Sequence, residues 1–197
     1  MSKNVVSTKK MKVVISTSSV TKEFKKSFGY RKRYQTEKRA LNKLSGLDGI
    51  PKVISFSDES KTLKITRLDG DPASEFSDKA LLDLKSKILA TIRLGVARHS
   101  LPVRDIIIDK NQNVGIVDFE RATIKEDSWS IIWRVATLVT RFHLYRLIFK
   151  HNPDLLTADE LKQLRQGLFI RRIFNFYAEI RDFIRNSYRD LLKIEPK

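Results

Sequence analysis

The sequence contains no cysteine. A disulfide scaffold, thiolate-ligated zinc, an iron–sulfur cluster and a cysteine nucleophile are therefore excluded together. Histidine is nearly as scarce: His99, His143 and His151 are too scattered for a histidine-rich metal site. The opening residues, MSKNVVSTKKMKVV, carry no apolar stretch of signal-peptide length, so a cytosolic location is expected. Acidic residues are outnumbered, 23 Asp+Glu against 39 Lys+Arg, for a formal charge of +16. The 41% hydrophobic content is enough for a core and argues against wholesale disorder. At 197 residues the chain is expected to form one compact domain, or one core split into two small lobes.

The positive charge is concentrated. Residues 1–44 hold 13 Lys+Arg and only two acids, Glu23 and Glu37, a net of +11, and the other 153 residues have a net of +5. Such a region attracts polyanions: a nucleotide triphosphate, an anionic membrane leaflet or nucleic acid. It serves equally as a solvated face that aids solubility, and charge alone does not choose among these. Nucleic-acid binding would need aromatics interleaved with the basic residues on an exposed face. Only Phe24, Phe28, Tyr30 and Tyr34 qualify in this region, and their spacing also suits a helix packing face. Nucleic acid is the weakest of the three partners.

The longest apolar run, residues 130–149, is interrupted by Arg134, Arg141 and Arg146 and is unsuited to spanning a bilayer. Ile131, Val135, Leu138, Phe142, Tyr145 and Phe149 recur at steps of three and four, which predicts a helix with that face in the core. No acidic residue occurs from Ser128 to Pro153, and Trp129, Trp133 and the arginines also suit a membrane interface.

Residues 4–24 read as short strands, and a helix follows to about Leu44, stopped near Gly46. Two strands flank the Asp58-Glu59-Ser60 turn, and a helix capped at Ser77 or Asp78 ends by Gly95. A hairpin, Ile106–Ile108 and Val114–Val117 joined by Lys110–Asn113, precedes Asp118. The chain after Trp129 is helical, broken at His151–Pro153 and capped at Thr157. In the last helices Leu164, Leu168, Ile173, Phe176, Ile180, Phe183 and Ile184 read as core. A strand-rich basic third followed by a helical remainder predicts an α+β fold of two lobes, with a cleft at about Arg67–Pro72.

Asp118 sits at a strand end with Asp105 just before the neighbouring strand, and two such carboxylates can hold magnesium against phosphates. Asp at a strand end is equally a common turn former. Lys22 lies in a strand-like context and Glu37 fifteen residues on in a helix. A strand lysine paired with a helix glutamate is the arrangement of protein kinases. The order Lys22, Glu37, a Gly70 hinge, a helix, a loop, a hairpin and Asp118 resembles the protein-kinase-like superfamily. It is most similar to the lipopolysaccharide core (Kdo/heptose) kinases and the RIO-like kinases, over roughly residues 10–150. The most specific segment is GVARHSLPVRDIIIDKNQNVGIVDFERA.

The resemblance implies a minimal two-lobed kinase-like fold over 1–197, with a small β-rich N-lobe (about 1–68) and a helical C-lobe (69–197). It implies ATP and Mg²⁺ as ligands: Lys22 and Glu37 as the ion pair, the segment Arg67, Leu68 and Asp69 beside the base, and Asp105 and Asp118 as metal ligands. Three departures stand out. Ser100 occupies the catalytic aspartate position, with Arg98 at the usual histidine. Asp105 replaces the metal-binding asparagine. No glycine precedes Gly29, so a Gly-rich loop is missing. A general base contributes about 10²–10⁴-fold, and phosphoryl transfer rests mainly on positioning and electrostatics. A slow enzyme with His99 standing in as base is therefore one expectation. A pseudokinase, a nucleotide-binding or regulatory module without turnover, is another, and polyanion binding a third. Arg98 is expected either to steady phosphate charge or to be solvated. An ATP-dependent phosphotransferase acting on a sugar, glycolipid or protein hydroxyl, peripheral on the inner membrane face and using an anionic or lipopolysaccharide-type substrate, follows from the resemblance.

Overall fold

The computed structural model describes residues 4–127 and 129–168. The chain divides into two units, residues 1–155 and 156–197.

The first unit opens with three antiparallel strands, β1 (Asn4–Ser7), β2 (Met11–Ile15) and β3 (Ser19–Phe24). Helix α1 (Tyr30–Lys43) follows, then the hairpin β4 (Val53–Ser57) and β5 (Thr62–Thr66). The sheet order is β1-β2-β3-β5-β4, so β3 sits at its centre between β2 and β5. Alternation along β3 buries Lys22 and Phe24 while Glu23 is exposed. Along α1 the buried residues Tyr34, Glu37 and Leu41 recur at helical spacing, with Leu44 just beyond the last turn. Phe24 meets Tyr34 edge to face, ring centroids 5.7 Å apart, which fixes α1 against β3. The strands expected over residues 4–24 and the Asp58-Glu59-Ser60 turn are where the sequence predicts them.

After β5 the chain passes Gly70, whose φ of +105° suits glycine, into the two-residue strand β6 (Asp71–Pro72). A Cβ at Gly70 would lie 2.3 Å from the Ile108 carbonyl oxygen. Helix α2 (Asp78–Arg93) is capped by Ser77, whose hydroxyl accepts from the Ala80 N–H at 3.2 Å. β7 (Val96–Ala97) leads to a 3₁₀ turn (Val103–Asp105) and then to β8 (Ile106–Ile108) and β9 (Val114–Ile116), which form a sheet in the order β6-β8-β9. β10 (Thr123–Ile124) pairs with β7. Leu81, Leu84 and Ile88 of α2 are buried, as are Ile106, Ile116 and Phe119. Lys87 is buried too: its ammonium donates to the Val114 carbonyl at 2.6 Å and to Asp83 at 2.8 Å, while Asp83 accepts from the Val114 N–H at 2.7 Å. This pair, with Lys87 buried and Asp83 half-buried, fixes α2 to the start of β9.

Helix α3 (Ser130–His151) corrects one expectation. Its core side is Ala136, Thr140, Leu144 and Ile148, spaced by four, with Tyr145 beside them. Of the apolar stripe expected in the core, Ile131, Val135, Leu138 and Phe149 are instead exposed. Small residues decide the docking. Ala136 and Thr140 let α3 come close to the β7 segment, and Thr140 donates its hydroxyl to the Arg98 carbonyl at 2.5 Å. Among the described residues no helix is long and apolar enough to cross a membrane.

In the second unit, residues 158–168 are helical behind a reciprocal cap: Thr157 N–H donates to Glu160 at 2.9 Å and Glu160 N–H to the Thr157 hydroxyl at 3.3 Å. Leu164 is buried and Leu168 exposed. The other core residues expected there, Ile173, Phe176, Ile180, Phe183 and Ile184, lie outside the described residues.

Candidate functional site

β3 and α1 bring Lys22 and Glu37 together. Lys22 Nζ donates to Glu37 Oε1 at 2.5 Å, and both residues are buried. Burial is the largest single influence and disfavours the ammonium, but the carboxylates of Glu37, Asp118 and Glu120 together outweigh it and hold the Lys22 pKa above the ordinary lysine value. Burial in turn pushes Glu37 upward against the pull of Lys22. Asp118 and Glu120 act on both groups electrostatically, so the strand end beyond β9 faces this pair.

Asp118 has a left-handed backbone, φ +67°. Asp tolerates that region better than most residues, and such conformations cluster at functional sites. The next residue, Phe119, is fully buried and anchors the turn. Asp118 Oδ1 accepts the Glu120 N–H at 3.3 Å. Glu120 reaches back to α1, 3.5 Å from Arg33 Nε. In the sequence Glu120 carries no signal beyond its position two residues after Asp118.

Arg98 is neither solvated nor free. It is 5% exposed, and its Nη2 donates to Asp105 Oδ2 at 2.8 Å while Nη1 donates to the Val117 carbonyl at 2.8 Å. The guanidinium also lies 5.2 Å from the Phe119 ring centroid. It thus ties the loop after β7 to the end of β9. Burial lowers the Arg98 pKa against the stabilising charge of Asp105. Burial likewise raises that of Asp105 against Arg98. His99 and Ser100 are exposed, and His99 Nε2 is 2.6 Å from the Thr123 hydroxyl oxygen.

Arg98, His99, Ser100, Asp105, Asp118 and Glu120 line a recess of about 40 Å³. That volume suits water-sized groups and is far below the ~300 Å³ of a small-molecule pocket. A roomier recess of about 970 Å³ lies between residues 69–77 and the β8–β9 turn. Of the expected site residues it takes in only Asp69. In the segment expected beside the base, the Arg67 N–H donates to the Ser18 carbonyl at 3.0 Å and its guanidinium to the Ser16 carbonyl at 3.3 Å. Leu68 points at Gly115, where a Cβ would lie 2.5 Å from the leucine methyl. In place of a Gly-rich turn, β1 and β2 are joined by Thr8-Lys9-Lys10, braced by Thr8 hydroxyl bonds to residues 10 and 11 and by Lys25, which donates to the Thr8 carbonyl at 2.9 Å.

The two expected magnesium ligands differ in fitness. Asp118 has no Lys or Arg at ion-pair distance among the described residues and is suited to a divalent cation. Asp105 is not: Arg98 occupies Oδ2, and Arg104 Nε lies 3.8 Å from Oδ1.

No family model and no curated protein matches the chain. Solved structures do. A co-crystal structure of WbdD with the kinase inhibitor LY294002 is 16% identical with a TM-score of 0.52, over 81% of this chain and 44% of that one. A high-resolution crystal structure of WbdD is 15% identical with a TM-score of 0.54, over 82% and 45%. A further structure, of the bifunctional kinase–methyltransferase WbdD, is 15% identical at 0.47. The chain spans less than half the length of the WbdD chains it matches. The fold is an α+β, two-lobed kinase-like one, as the sequence predicts.

Proposed function

We propose that the chain binds ATP between the five-stranded sheet and the β8–β9 hairpin and acts as an atypical phosphotransferase on a sugar, glycolipid or protein hydroxyl. The buried Lys22–Glu37 pair facing Asp118 carries this reading. A lysine taken out of water and held charged beside a carboxylate is costly to keep in a protein without an anionic ligand. In this role Lys22 directs its ammonium at the nucleotide phosphates, Glu37 orients it, and Arg67, Leu68 and Asp69 border the base. Asp118 would hold Mg²⁺, which shields phosphate charge. The acceptor oxygen bonds to the γ-phosphorus as the bond to the ADP oxygen breaks. The hydroxyl proton passes to solvent, because Ser100 offers no carboxylate.

A second reading is a pseudokinase that binds nucleotide without transferring phosphate. Ser100 in the base position and the Arg98–Asp105 pair favour it. ATP turnover measured on the wild type and on Lys22→Ala separates the two. Turnover lost in the variant supports the phosphotransferase, and nucleotide binding without turnover supports the pseudokinase.

An anionic membrane surface is the proposed location of the acceptor. Ile131, Val135 and Leu138 are exposed on α3 beside Arg134, in a stretch without acidic residues, which supports that placement.

A further inference from the structure

We propose that the Arg98 guanidinium replaces one divalent cation of this site, so that nucleotide is held with a single metal ion, at Asp118. The inference rests on the nucleotide-binding reading above. Two carboxylates at adjacent strand ends, Asp105 and Asp118, would by themselves offer places for two ions. The structure treats them differently.

Asp105 Oδ2 accepts from Arg98 at 2.8 Å. A divalent ion bonded to the same carboxylate would stand within a few ångströms of a full positive charge, and the two cations repel. Arg98 cannot yield by losing a proton, since a guanidinium stays charged throughout the physiological range. Nor is it free to swing out. Its second arm is bonded to the Val117 carbonyl, the group stacks near Phe119, and the residue is 5% exposed. Thr140, donating to the Arg98 carbonyl, fixes the backbone as well.

Asp118 lies across the same small recess with no cation paired to it among the described residues. The recess therefore has a buried cation paired to Asp105 and none paired to Asp118; the other arginine there, the exposed Arg121, lies 3.7 Å from Glu120. A nucleotide phosphate at the mouth of the recess would meet Arg98 there and, from β3, the Lys22 ammonium on which Asp118 acts, and would need one ion more.

Counting Mn²⁺ by electron paramagnetic resonance on the full chain, saturated with a non-hydrolysable ATP analogue, tests this. One protein-bound Mn²⁺ per bound nucleotide is expected, weakened at least tenfold in Asp118→Asn. Arg98→Leu should acquire a second Mn²⁺ as Asp105 is released. Two Mn²⁺ per nucleotide in the wild type, or nucleotide bound with none, would overturn the inference while leaving nucleotide binding intact. The wild-type count decides even where Arg98→Leu fails to fold. No analogue bound under any condition would overturn the nucleotide reading itself, and this inference with it.

Discussion

Lys22 Nζ and Glu37 Oε1 lie 2.5 Å apart, joining the central strand of the N-terminal sheet to the helix that covers it. Neither side chain has appreciable access to water, so each depends on the other for its charge. Lys22→Ala leaves Glu37 buried and unpaired and should cost about 3–5 kcal/mol. Lys22→Met combined with Glu37→Leu should recover most of that loss, because the uncompensated charge is gone. Urea unfolding of the single and double variants measures both.

The same pair sets an alkaline limit. Burial works against the charged lysine most strongly, but Glu37, Asp118 and Glu120 together prevail and hold the folded-state pKa above the ordinary 10.5. The stability this contributes is fully present below the unfolded value and is lost as pH rises through the folded one. Relative to Lys22→Met combined with Glu37→Leu, which has no carboxylate left in the pair to titrate, this contribution to the unfolding free energy should therefore shrink only as pH rises above about 10. A contribution that shrank below pH 9 would contradict the assignment.

Ser100 and His99 separate the two functional readings. Ser100→Asp places a carboxylate where the phosphotransferase reading puts the base and should raise ATP turnover by about 10²-fold or more if the site transfers phosphate. His99→Ala should leave turnover within a few-fold of wild type, since its Nε2 is engaged with Thr123. A large loss in His99→Ala would make that imidazole the base.

Gly70 governs the position of β6 against β8. Gly70→Ala places a methyl group 2.3 Å from the Ile108 carbonyl oxygen at a φ of +105° and should destabilise by about 1–3 kcal/mol. Gly46→Ala, where a Cβ meets nothing within 4 Å, should be close to neutral in the same denaturation experiment.

Sedimentation with vesicles tests the α3 surface. Binding to anionic phospholipid should exceed binding to neutral phospholipid. Ile131→Glu with Leu138→Glu should weaken it by roughly tenfold per residue, from the apolar area each would otherwise bury. Equal binding of wild type and variant would remove α3 from any membrane contact.

The strands over residues 4–24, the Ser77 cap and the Lys22–Glu37 pair were legible in the sequence because each follows from short-range alternation, local capping chemistry or spacing. Two features were not. Arg98 reads as a loop arginine until the fold brings Asp105, Val117 and Phe119 around it, and nothing in its neighbours signals burial. On α3 the hydrophobic period pointed to Ile131, Val135 and Leu138, whereas close docking selected the small residues Ala136 and Thr140. A period records where apolar area lies and not how near another element must come.

Thermal unfolding with ATP, with and without Mg²⁺, tests the central claim most directly, on wild type, Lys22→Ala and Asp118→Asn, each against its own ligand-free baseline. Ligand at about 100 times its dissociation constant stabilises the folded state by about 2.7 kcal/mol, a shift of several degrees for a chain of this size. A Mg²⁺-enhanced shift is expected in the wild type and is lost in both variants. The absence of any shift in the wild type, or an undiminished shift in Lys22→Ala, would contradict the claim.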